Sequence, residues 1–258
     1  MDAEACATAA GLLAKAWASG TRVSLPEALA PRDLDEAREI QDGLFALLDQ
    51  DLAGWKLAMT SPAGQARAGY DHPFTGQMFS SRVKQSPAAF PKGMFHQPLL
   101  EAEIAFRMKS ALGPRAAHYT TDEVLDAVDS AIIGVEVADV RYSGSWPFPM
   151  PLLAADNGAF GAFVSGPDIP GWRDRDLMQI EGALDMNGKQ VAGKQTGEER
   201  TDAIAALVWL VNDLSTRGYA LRAGDLVTTG SATVPTACPP GTAAVAHFPG
   251  IGEVRLSL

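Results

Sequence analysis

The sequence predicts an α+β fold, because helical patterns come first and short strands follow them along the chain. Residues 2–18 are rich in Ala and Leu, and apolar residues recur at helical spacing between Asp33 and Gly54. The strands that follow are broken by two helical segments and do not alternate one by one with helices, which disfavours a parallel β-α-β fold. No glycine-rich loop precedes a helix, so nothing indicates a nucleotide site.

Short apolar segments predict the strands in the rest of the chain. The first, 54–60, is followed by a long segment with little periodicity, 62–98, which we expect to be a functional loop. Further strands are expected at 99–108, 131–138, 159–166, 179–186, 225–229, 243–248 and 253–258. Asn187 and Gly188 lie between two such runs and indicate a tight hairpin.

Two helices are expected among these strands. A capping box of Thr120 and Glu123 begins the first, which extends to about residue 130. The second covers 201–217 and ends before a glycine. The aromatic and proline-rich segment 142–151 between the two is expected to be a loop.

Composition and charge exclude several classes of function. The net charge is −10, from 21 basic and 31 acidic residues, which disfavours nucleic acid and anionic membranes as partners. No apolar run approaches the length that spans a bilayer. Cys6 and Cys238 lie far apart and form no disulfide or metal framework, which is typical of a reducing compartment. With no basic signal region at the N-terminus, we expect a cytoplasmic protein.

Three glutamates carry most of the chemical information in the sequence. Glu101 and Glu103 are two apart in an apolar run, so in a strand their side chains share one face. Glu136 lies in a second apolar strand. Buried carboxylates are costly unless they are paired or bind a metal, and oxygen ligands favour Mg²⁺ or Mn²⁺. The alternative is that all three point outward from half-exposed strands.

Three other side chains are candidates for chemistry. Lys56, in an apolar strand, is suited to acid–base work or to holding a substrate carboxylate, although it could also lie at a strand edge with its ammonium in solvent. His72 lies in the long loop, where an exposed turn position is the alternative. Ser231 ends a predicted strand, where its hydroxyl could bind a carboxylate or simply terminate the strand.

Six short motifs, taken in order, resemble one known family. They are Gly-Trp-Lys-Leu-Ala-Met-Thr-Ser (54–61), Tyr-Asp-His-Pro-Phe-Thr-Gly (70–76), Leu-Glu-Ala-Glu-Ile-Ala-Phe (100–106), Val-Glu-Val-Ala-Asp-Val-Arg (135–141), Asp-Asn-Gly-Ala (156–159) and Leu-Val-Thr-Thr-Gly-Ser-Ala-Thr (226–233). This pattern is similar to the hydratase/decarboxylase family of the fumarylacetoacetate hydrolase superfamily. Its members include 2-hydroxypenta-2,4-dienoate hydratase and 4-oxalocrotonate decarboxylase. The resemblance runs from about residue 30 to the C-terminus.

The resemblance implies a fold and a set of site residues. The fold would be a mixed β-roll of the fumarylacetoacetate hydrolase catalytic-domain type, with a helical N-terminal region at 1–53 and a metal-binding catalytic domain at 54–258. Three glutamates match the family's Mg²⁺ ligands, one lysine matches its active-site lysine, and three polar residues match its substrate pocket. These are, in turn, Glu101, Glu103 and Glu136; Lys56; and Asn157, Ser231 and Thr233.

The resemblance also implies a reaction class. The metal would chelate a 2-oxo or 2-hydroxydienoate acid from aromatic-compound catabolism and stabilise its enolate, and Lys56 would move a proton. Family members usually form oligomers, so a homo-oligomer acting on a small-molecule 2-oxo acid is expected. Lyase chemistry, hydration or decarboxylation, comes first. The alternatives are a C–C hydrolase of an acylpyruvate such as maleylpyruvate, or a non-catalytic partner subunit of a hydratase–decarboxylase complex.

Two departures from the family pattern bear on the reaction. Phe74 stands where the hydratases have an Asp that is an acid/base candidate, which makes simple hydration less secure. We therefore expect decarboxylation or C–C cleavage, with His72 at the mouth of the pocket as a base. The segment 193–200 is also more charged than the small-residue stretch usual before the family's long helix.

Overall fold

The computed structural model describes residues 1–258 and contains six α-helices, six short 3₁₀ helices and thirteen strands. The helices are α1 (Ala3–Ser19), α2 (Leu34–Leu48), α3 (Pro62–Ala68), α4 (Thr121–Asp126), α5 (Met150–Ala155) and α6 (Ala203–Thr216). The strands are β1 (Leu52–Ala58), β2 (Phe74–Phe79), β3 (Val83–Gln85), β4 (Ala88–Ala89), β5 (Leu99–Met108), β6 (Val128–Ala138), β7 (Phe160–Asp168), β8 (Ala183–Met186), β9 (Lys189–Ala192), β10 (Leu226–Ser231), β11 (Thr236–Ala237), β12 (Ala243–Phe248) and β13 (Gly252–Ser257).

The strands form two sheets. The larger has the order β2-β1-β10-β5-β6-β7-β3, with β11 paired to one end of β5. It is mixed, because β1 pairs with β10 and β3 pairs with β7 in parallel while the other neighbours are antiparallel. The smaller sheet has the order β4-β13-β12-β8-β9. The predicted α+β class is therefore confirmed.

Alternation along the strands divides the interior into two apolar cores. On β5, Ile104 and Phe106 belong to the larger core, whereas Ala105 between them belongs to the smaller one. The larger core also takes in α6 and the inner face of the smaller sheet. The smaller core lies on the opposite face of the large sheet, under α1, α2 and α5. Side chains one position apart on β5 thus face different layers of the molecule.

Helices α1 and α2 form because each has a capping side chain and one apolar face. Asp2 accepts a hydrogen bond from the amide of Ala5, and Asp33 caps α2 in the same way at Glu36. Their buried residues recur at helical spacing and contribute to the smaller core. These helices therefore cover the face of the large sheet that carries the candidate site.

The structure confirms most predicted elements and corrects several. The predicted loop 62–98 is wrong: it contains α3, β2, β3 and β4. The helix at 120–130 ends at Asp126, and β6 begins two residues later. The strand at 179–186 is limited to β8, and the loop at 142–151 reaches into α5. The hairpin at Asn187 and Gly188 is confirmed, with both residues at positive φ. The domain boundary after residue 53 stays a prediction. No helix is both long and apolar enough to cross a membrane.

Candidate functional site

The candidate site lies on the helix-covered face of the large sheet. On β1, Trp55 and Leu57 point into the larger core, so Lys56 between them points to the other face. On β5 and β6, Glu101, Glu103 and Glu136 have the same orientation, because their immediate neighbours are in the larger core. Glu101 and Glu136 are direct cross-strand partners. The predicted shared face of the glutamates is confirmed.

Lys56 is buried and held by two contacts. Its Nζ lies 2.9 Å from Oε1 of Glu136 and donates a hydrogen bond of 2.6 Å to the carbonyl oxygen of Gly158. Burial alone would lower the pKa of Lys56, but the nearby carboxylates of Glu136 and Glu101 outweigh it, so the pKa lies above its ordinary value. Lys56 is therefore an ammonium ion in the free protein.

Glu103 and Glu136 are buried and Glu101 is partly buried, and their carboxylates are incompletely paired. Glu103 Oε2 accepts a hydrogen bond of 3.0 Å from the amide of Gly230, whereas Glu103 Oε1 and Glu136 Oε2 have no hydrogen-bond partner. Burial, and then repulsion from Glu136, raise the pKa of Glu101 to about 7 and that of Glu103 well above its ordinary value. Unpartnered buried carboxylate oxygens are costly, so these oxygens are suited to binding a positively charged group.

The oxygen donors fit a hard divalent cation in chemical type, although they do not converge on one point. No three acidic, histidine or cysteine side chains of the chain lie close enough together to coordinate a metal as they stand. The cross-strand register nevertheless puts the Cβ atoms of Glu101 and Glu136 within roughly 5 Å of each other, and Glu103 is on the same face. All three carboxylates therefore stand on one face of the large sheet.

A tight turn before β7 supplies the carbonyl that holds Lys56. Asn157 and Gly158 both have positive φ. A Cβ atom on Gly158 would lie 3.1 Å from Cδ of Lys56, so glycine is needed for this close approach. Asp156, at the start of the turn, is paired with Arg141 and hydrogen-bonded to Trp17. Helix α1 is thereby connected to the turn that positions Lys56.

A cavity of about 260 Å³ opens above the site. Lys56, Glu101 and Ser231 line it, while Glu103 and Glu136 lie behind this surface. Ten of the 23 lining residues are hydrophobic, including Met59, Phe74, Leu99, Trp146, Met150 and Leu153, and Thr60, Gln195 and Thr201 add polar groups. At the open end, Arg67 and Glu199 form an exposed ion pair. The cavity thus has charged groups at its inner end and at its mouth, and an uncharged lining of apolar and polar side chains elsewhere.

The other predicted site residues differ in their placement. Ser231 lines the cavity and donates its hydroxyl to the carbonyl of Thr233. Asn157 and Thr233 are absent from the wall, because the Asn157 amide bonds the backbone of Gln77 and the Thr233 hydroxyl accepts from Ala102. These two side chains position the backbone around the cavity. Their roles in substrate binding stay predictions.

His72 does not lie in the cavity wall. Its ring stacks on Trp209 with centroids 6.0 Å apart, and Nδ1 lies 2.8 Å from the carbonyl oxygen of Pro73. The expected position of His72 at the pocket mouth is taken by Arg67 on α3, because the segment that was expected to be a loop forms a helix there.

Sequence reasoning missed three groups that the structure brings to the site. The Gly158 carbonyl contacts Lys56, although the motif had drawn attention to the neighbouring Asn157. Arg67 and Glu199 meet at the cavity mouth from distant parts of the chain. A signal for Arg67 was present, since Ser61, Pro62 and Gly69 are N-cap, first-turn and C-cap residues that predict a short helix.

Comparison with known proteins places this geometry in a family. The model of the fumarylacetoacetate (FAA) hydrolase C-terminal family matches residues 57–258. The chain belongs to the fumarylacetoacetate hydrolase family. That finding confirms the resemblance carried by the six motifs, and with it the β-roll type of fold.

Relatives within this family are hydratases and decarboxylases. A 2-keto-4-pentenoate hydratase of Paraburkholderia xenovorans is 30% identical over 233 residues, which are 90% of this chain and 83% of the relative. A 4-oxalocrotonate decarboxylase of a Pseudomonas species is 27% identical over 203 residues, or 79% of this chain and 76% of that protein.

A solved structure shares the whole fold. The 4-oxalocrotonate decarboxylase of Pseudomonas putida G7, complexed with magnesium and adipate, superimposes with a TM-score of 0.87 at 23% identity. The match covers 100% of this chain and 98% of that one. The helical N-terminal part is therefore part of the shared architecture.

Proposed function

We propose that the protein is a divalent-metal-dependent lyase that acts on a 2-oxo or 2-hydroxydienoate acid from the breakdown of aromatic compounds. The observation that carries the proposal is the pair of unpartnered, buried carboxylate oxygens on Glu103 and Glu136, next to the ammonium group of Lys56. A cation would satisfy those oxygens, and an anionic 2-oxo acid would then be attracted to an otherwise acidic site. The named relatives support the same class of substrate.

Glu101, Glu103 and Glu136 would hold the cation, Mg²⁺ or Mn²⁺. All three offer only oxygen, which suits hard cations and not zinc or copper. When bound, such a cation supplies Lewis acidity that stabilises the negative charge developing on the 2-oxo group of the substrate.

Lys56 would deliver a proton at its Nζ to the substrate. Its raised pKa keeps the ammonium form, and the Gly158 carbonyl fixes the direction of one N–H bond. Ser231 also lines the cavity, and its hydroxyl would bind a substrate oxygen by exchanging its hydrogen bond to the Thr233 carbonyl. The buried inner end of the cavity limits contact with water, which strengthens the charge interactions there.

Within the lyases, decarboxylation is the first candidate. Phe74 is buried and lines the cavity, so no carboxylate stands at that place to activate water. Loss of CO₂ needs no added water, only a stabilised carbanion and a proton donor. Hydration is the second candidate, because several relatives that match over most of this chain are hydratases.

The test is a side-by-side assay of 4-oxalocrotonate, 2-hydroxypenta-2,4-dienoate and maleylpyruvate with added Mg²⁺ or Mn²⁺. We expect turnover of the first, and a loss of about 10²–10⁴-fold in Lys56→Met with metal binding retained. Glu103→Gln should lose both metal binding and activity. Glu181→Gln, an exposed position outside the cavity, is the matched control.

Several outcomes would contradict the proposal. Cleavage of maleylpyruvate alone would identify a C–C hydrolase. No metal binding and no turnover of any of the three acids would support a non-catalytic partner subunit. If Glu103→Gln bound Mn²⁺ as tightly as the wild type, the glutamates would not be the metal ligands.

We also propose that the enzyme works as a homo-oligomer in the cytoplasm on a small-molecule substrate. The family resemblance supports the assembly, and the scarcity of cysteine supports a reducing compartment. Sedimentation analysis of the purified protein would test the oligomer, with a monomer at micromolar concentration as the contradicting result.

A further inference from the structure

Arg67 and Glu199 form an ion pair at the mouth of the cavity. The guanidinium makes two contacts with the carboxylate, one of them 2.9 Å from Nη2 to Oε2. The side chains are 64% and 44% exposed, and both line the cavity. A guanidinium with two N–H groups directed at one carboxylate is already arranged for carboxylate recognition.

Both partners are attached to ordered parts of the fold. Arg67 lies in the last turn of α3, whose Ser61 caps the helix N-terminus. Next to Glu199, the buried guanidinium of Arg200 donates to the carbonyl oxygens of Ala232, Leu177 and Ile180. The mouth therefore has fixed anchors, and the ion pair itself is the part that can rearrange.

The cavity has only one cationic group free to meet the far end of a substrate. Its basic lining residues are Lys56 and Arg67, and Lys56 is engaged with Glu136 and the Gly158 carbonyl at the inner end. Apart from Lys56, Arg67, Glu101 and Glu199, the lining carries no charged side chain. A negatively charged tail that reaches the mouth can thus be neutralised by Arg67 alone.

Glu199 occupies the position that a substrate carboxylate would take on Arg67. An exposed ion pair contributes little net free energy, so exchanging one carboxylate for another costs little. A substrate already bound at the inner end presents its second carboxylate at high effective concentration, which favours the exchange.

We propose that Arg67 is a specificity-determining residue that binds the terminal carboxylate of a dicarboxylic substrate, with Glu199 as the internal carboxylate that it displaces. The preferred substrate is then a 2-oxo dicarboxylic acid, and a monocarboxylic acid of equal length binds more weakly. The inference rests on the proposed function in one respect, since it takes the 2-oxo end of the substrate to lie at Lys56.

The inference can be tested without turnover by measuring the affinity of unreactive acids for the protein by calorimetry, in the presence of Mg²⁺. The probes are the dicarboxylates from succinate to pimelate, each compared with the monocarboxylate of the same length. We expect the wild type to bind one dicarboxylate more tightly than the others. Arg67→Gln should lower the affinity for that dicarboxylate by about 10–100-fold and change the affinity for the matched monocarboxylate little. Glu199→Gln should bind the dicarboxylate more tightly, since the competing carboxylate is gone.

Two further variants sharpen the result. Arg67→Lys keeps the charge but lacks the planar fork, so its affinity should lie between those of the wild type and Arg67→Gln. Arg115→Gln removes a similar ion pair, with Glu123, that does not line the cavity, and should bind all probes like the wild type.

The outcomes separate this inference from the proposed function. An Arg67-dependent preference for dicarboxylates in a protein that turns over no 2-oxo acid would keep the inference and contradict the lyase. The opposite result is turnover of 2-oxo acids without a role for Arg67. Either the wild type would bind both acids of a matched pair equally well, or Arg67→Gln would lower both affinities equally. Both results would overturn the inference and keep the lyase.

Discussion

Two clusters of buried charge lie on the same face of the large sheet and differ in how completely they are paired. In the first, both oxygens of Asp156 are satisfied: Trp17 Nε1 donates at 3.0 Å, and the Arg141 backbone and Nε donate at 2.7 to 3.0 Å. The remaining Arg141 donors reach the carbonyls of Phe160 and Asp156.

The second cluster leaves oxygens without partners. Glu103 and Glu136 are as deeply buried as Asp156, yet each keeps a free carboxylate oxygen. Each group in the low-dielectric interior must be paired or it destabilises the fold. The saturated cluster therefore stabilises the turn that carries Gly158, whereas the unsaturated one lowers the stability of the fold and keeps oxygens that have no protein partner.

The largest effect on stability is expected from the saturated cluster. Asp156→Asn keeps the shape of the side chain but leaves the buried Arg141 guanidinium without its counter-charge. Removing one partner of a buried ion pair typically costs about 3–5 kcal/mol. Urea unfolding of the variant should show a loss of that size.

The control for Asp156→Asn is Glu199→Gln, which breaks the exposed pair at the cavity mouth and should change the free energy of unfolding by less than about 1 kcal/mol. Equal effects of the two substitutions would mean that saturation of the buried cluster contributes nothing special to the fold.

A smaller loss is expected from Trp17→Phe. The substitution deletes the indole N–H that donates to Asp156, while an aromatic ring remains near Arg141. A hydrogen bond to a charged group contributes about 1.5–3 kcal/mol, and part of the stacking also weakens. If the turn also positions Lys56, kcat should fall while the affinity for metal stays the same. An unchanged free energy of unfolding would show that the Arg141 contacts alone satisfy Asp156.

The unsaturated cluster should make the metal-free protein less stable as pH rises. The pKa of Glu101 is raised to about 7 in the fold from 4.5, chiefly by burial. Between these values the unfolded chain has lost a proton that the folded protein keeps, so raising the pH favours unfolding. Because Glu101 is partly exposed to the cavity, we expect a loss on the order of 1–2 kcal/mol between about pH 5 and about pH 8.

The check is urea unfolding with EDTA at both pH values, repeated on Glu101→Gln and with saturating Mg²⁺. The substitution should weaken the dependence, since one of the carboxyl groups with a raised pKa is gone. Added Mg²⁺ should stabilise the protein more at the higher pH, because the metal competes with protons for the carboxylates. A metal-free protein that gains stability over this range would contradict the assignment.

Sequence reasoning located the inner end of the site because that end depends on strand periodicity. Glu101 and Glu103 are two apart in an apolar run, and a one-residue shift would put them in the larger core, so their orientation is strongly specified. The same holds for Lys56 between Trp55 and Leu57. Local patterning was enough for these residues.

The residues at the cavity mouth could not be predicted from strand periodicity. All six positions of β2 are buried, so the strand shows no alternation, and its identity depends on pairing with β1. Arg67 and Glu199 are separated by 132 residues and meet only when α3 and the segment before α6 are both in place. Such long-range contacts leave no periodic signal.

The smallest effect is expected from the loop histidine, and it decides between two roles. His72 stacks on Trp209 with nearly parallel rings, 10° apart, and its Nδ1 contacts the carbonyl of Pro73. A stacked aromatic pair contributes about 0.5–1.5 kcal/mol beyond the area that it buries. His72→Ala should therefore lower the free energy of unfolding by about 1 kcal/mol and leave kcat within about twofold of the wild type.

A catalytic His72 would give the opposite pattern. Loss of a general base typically lowers kcat by about 10²–10⁴-fold. His72→Phe keeps the ring stack on Trp209 but not the ring nitrogens, so it separates packing from proton transfer. Wild-type kcat in His72→Phe together with lower stability only in His72→Ala would fix His72 as a structural residue of the α3–β2 connection. Equal losses of kcat in both variants would show that His72 takes part in catalysis.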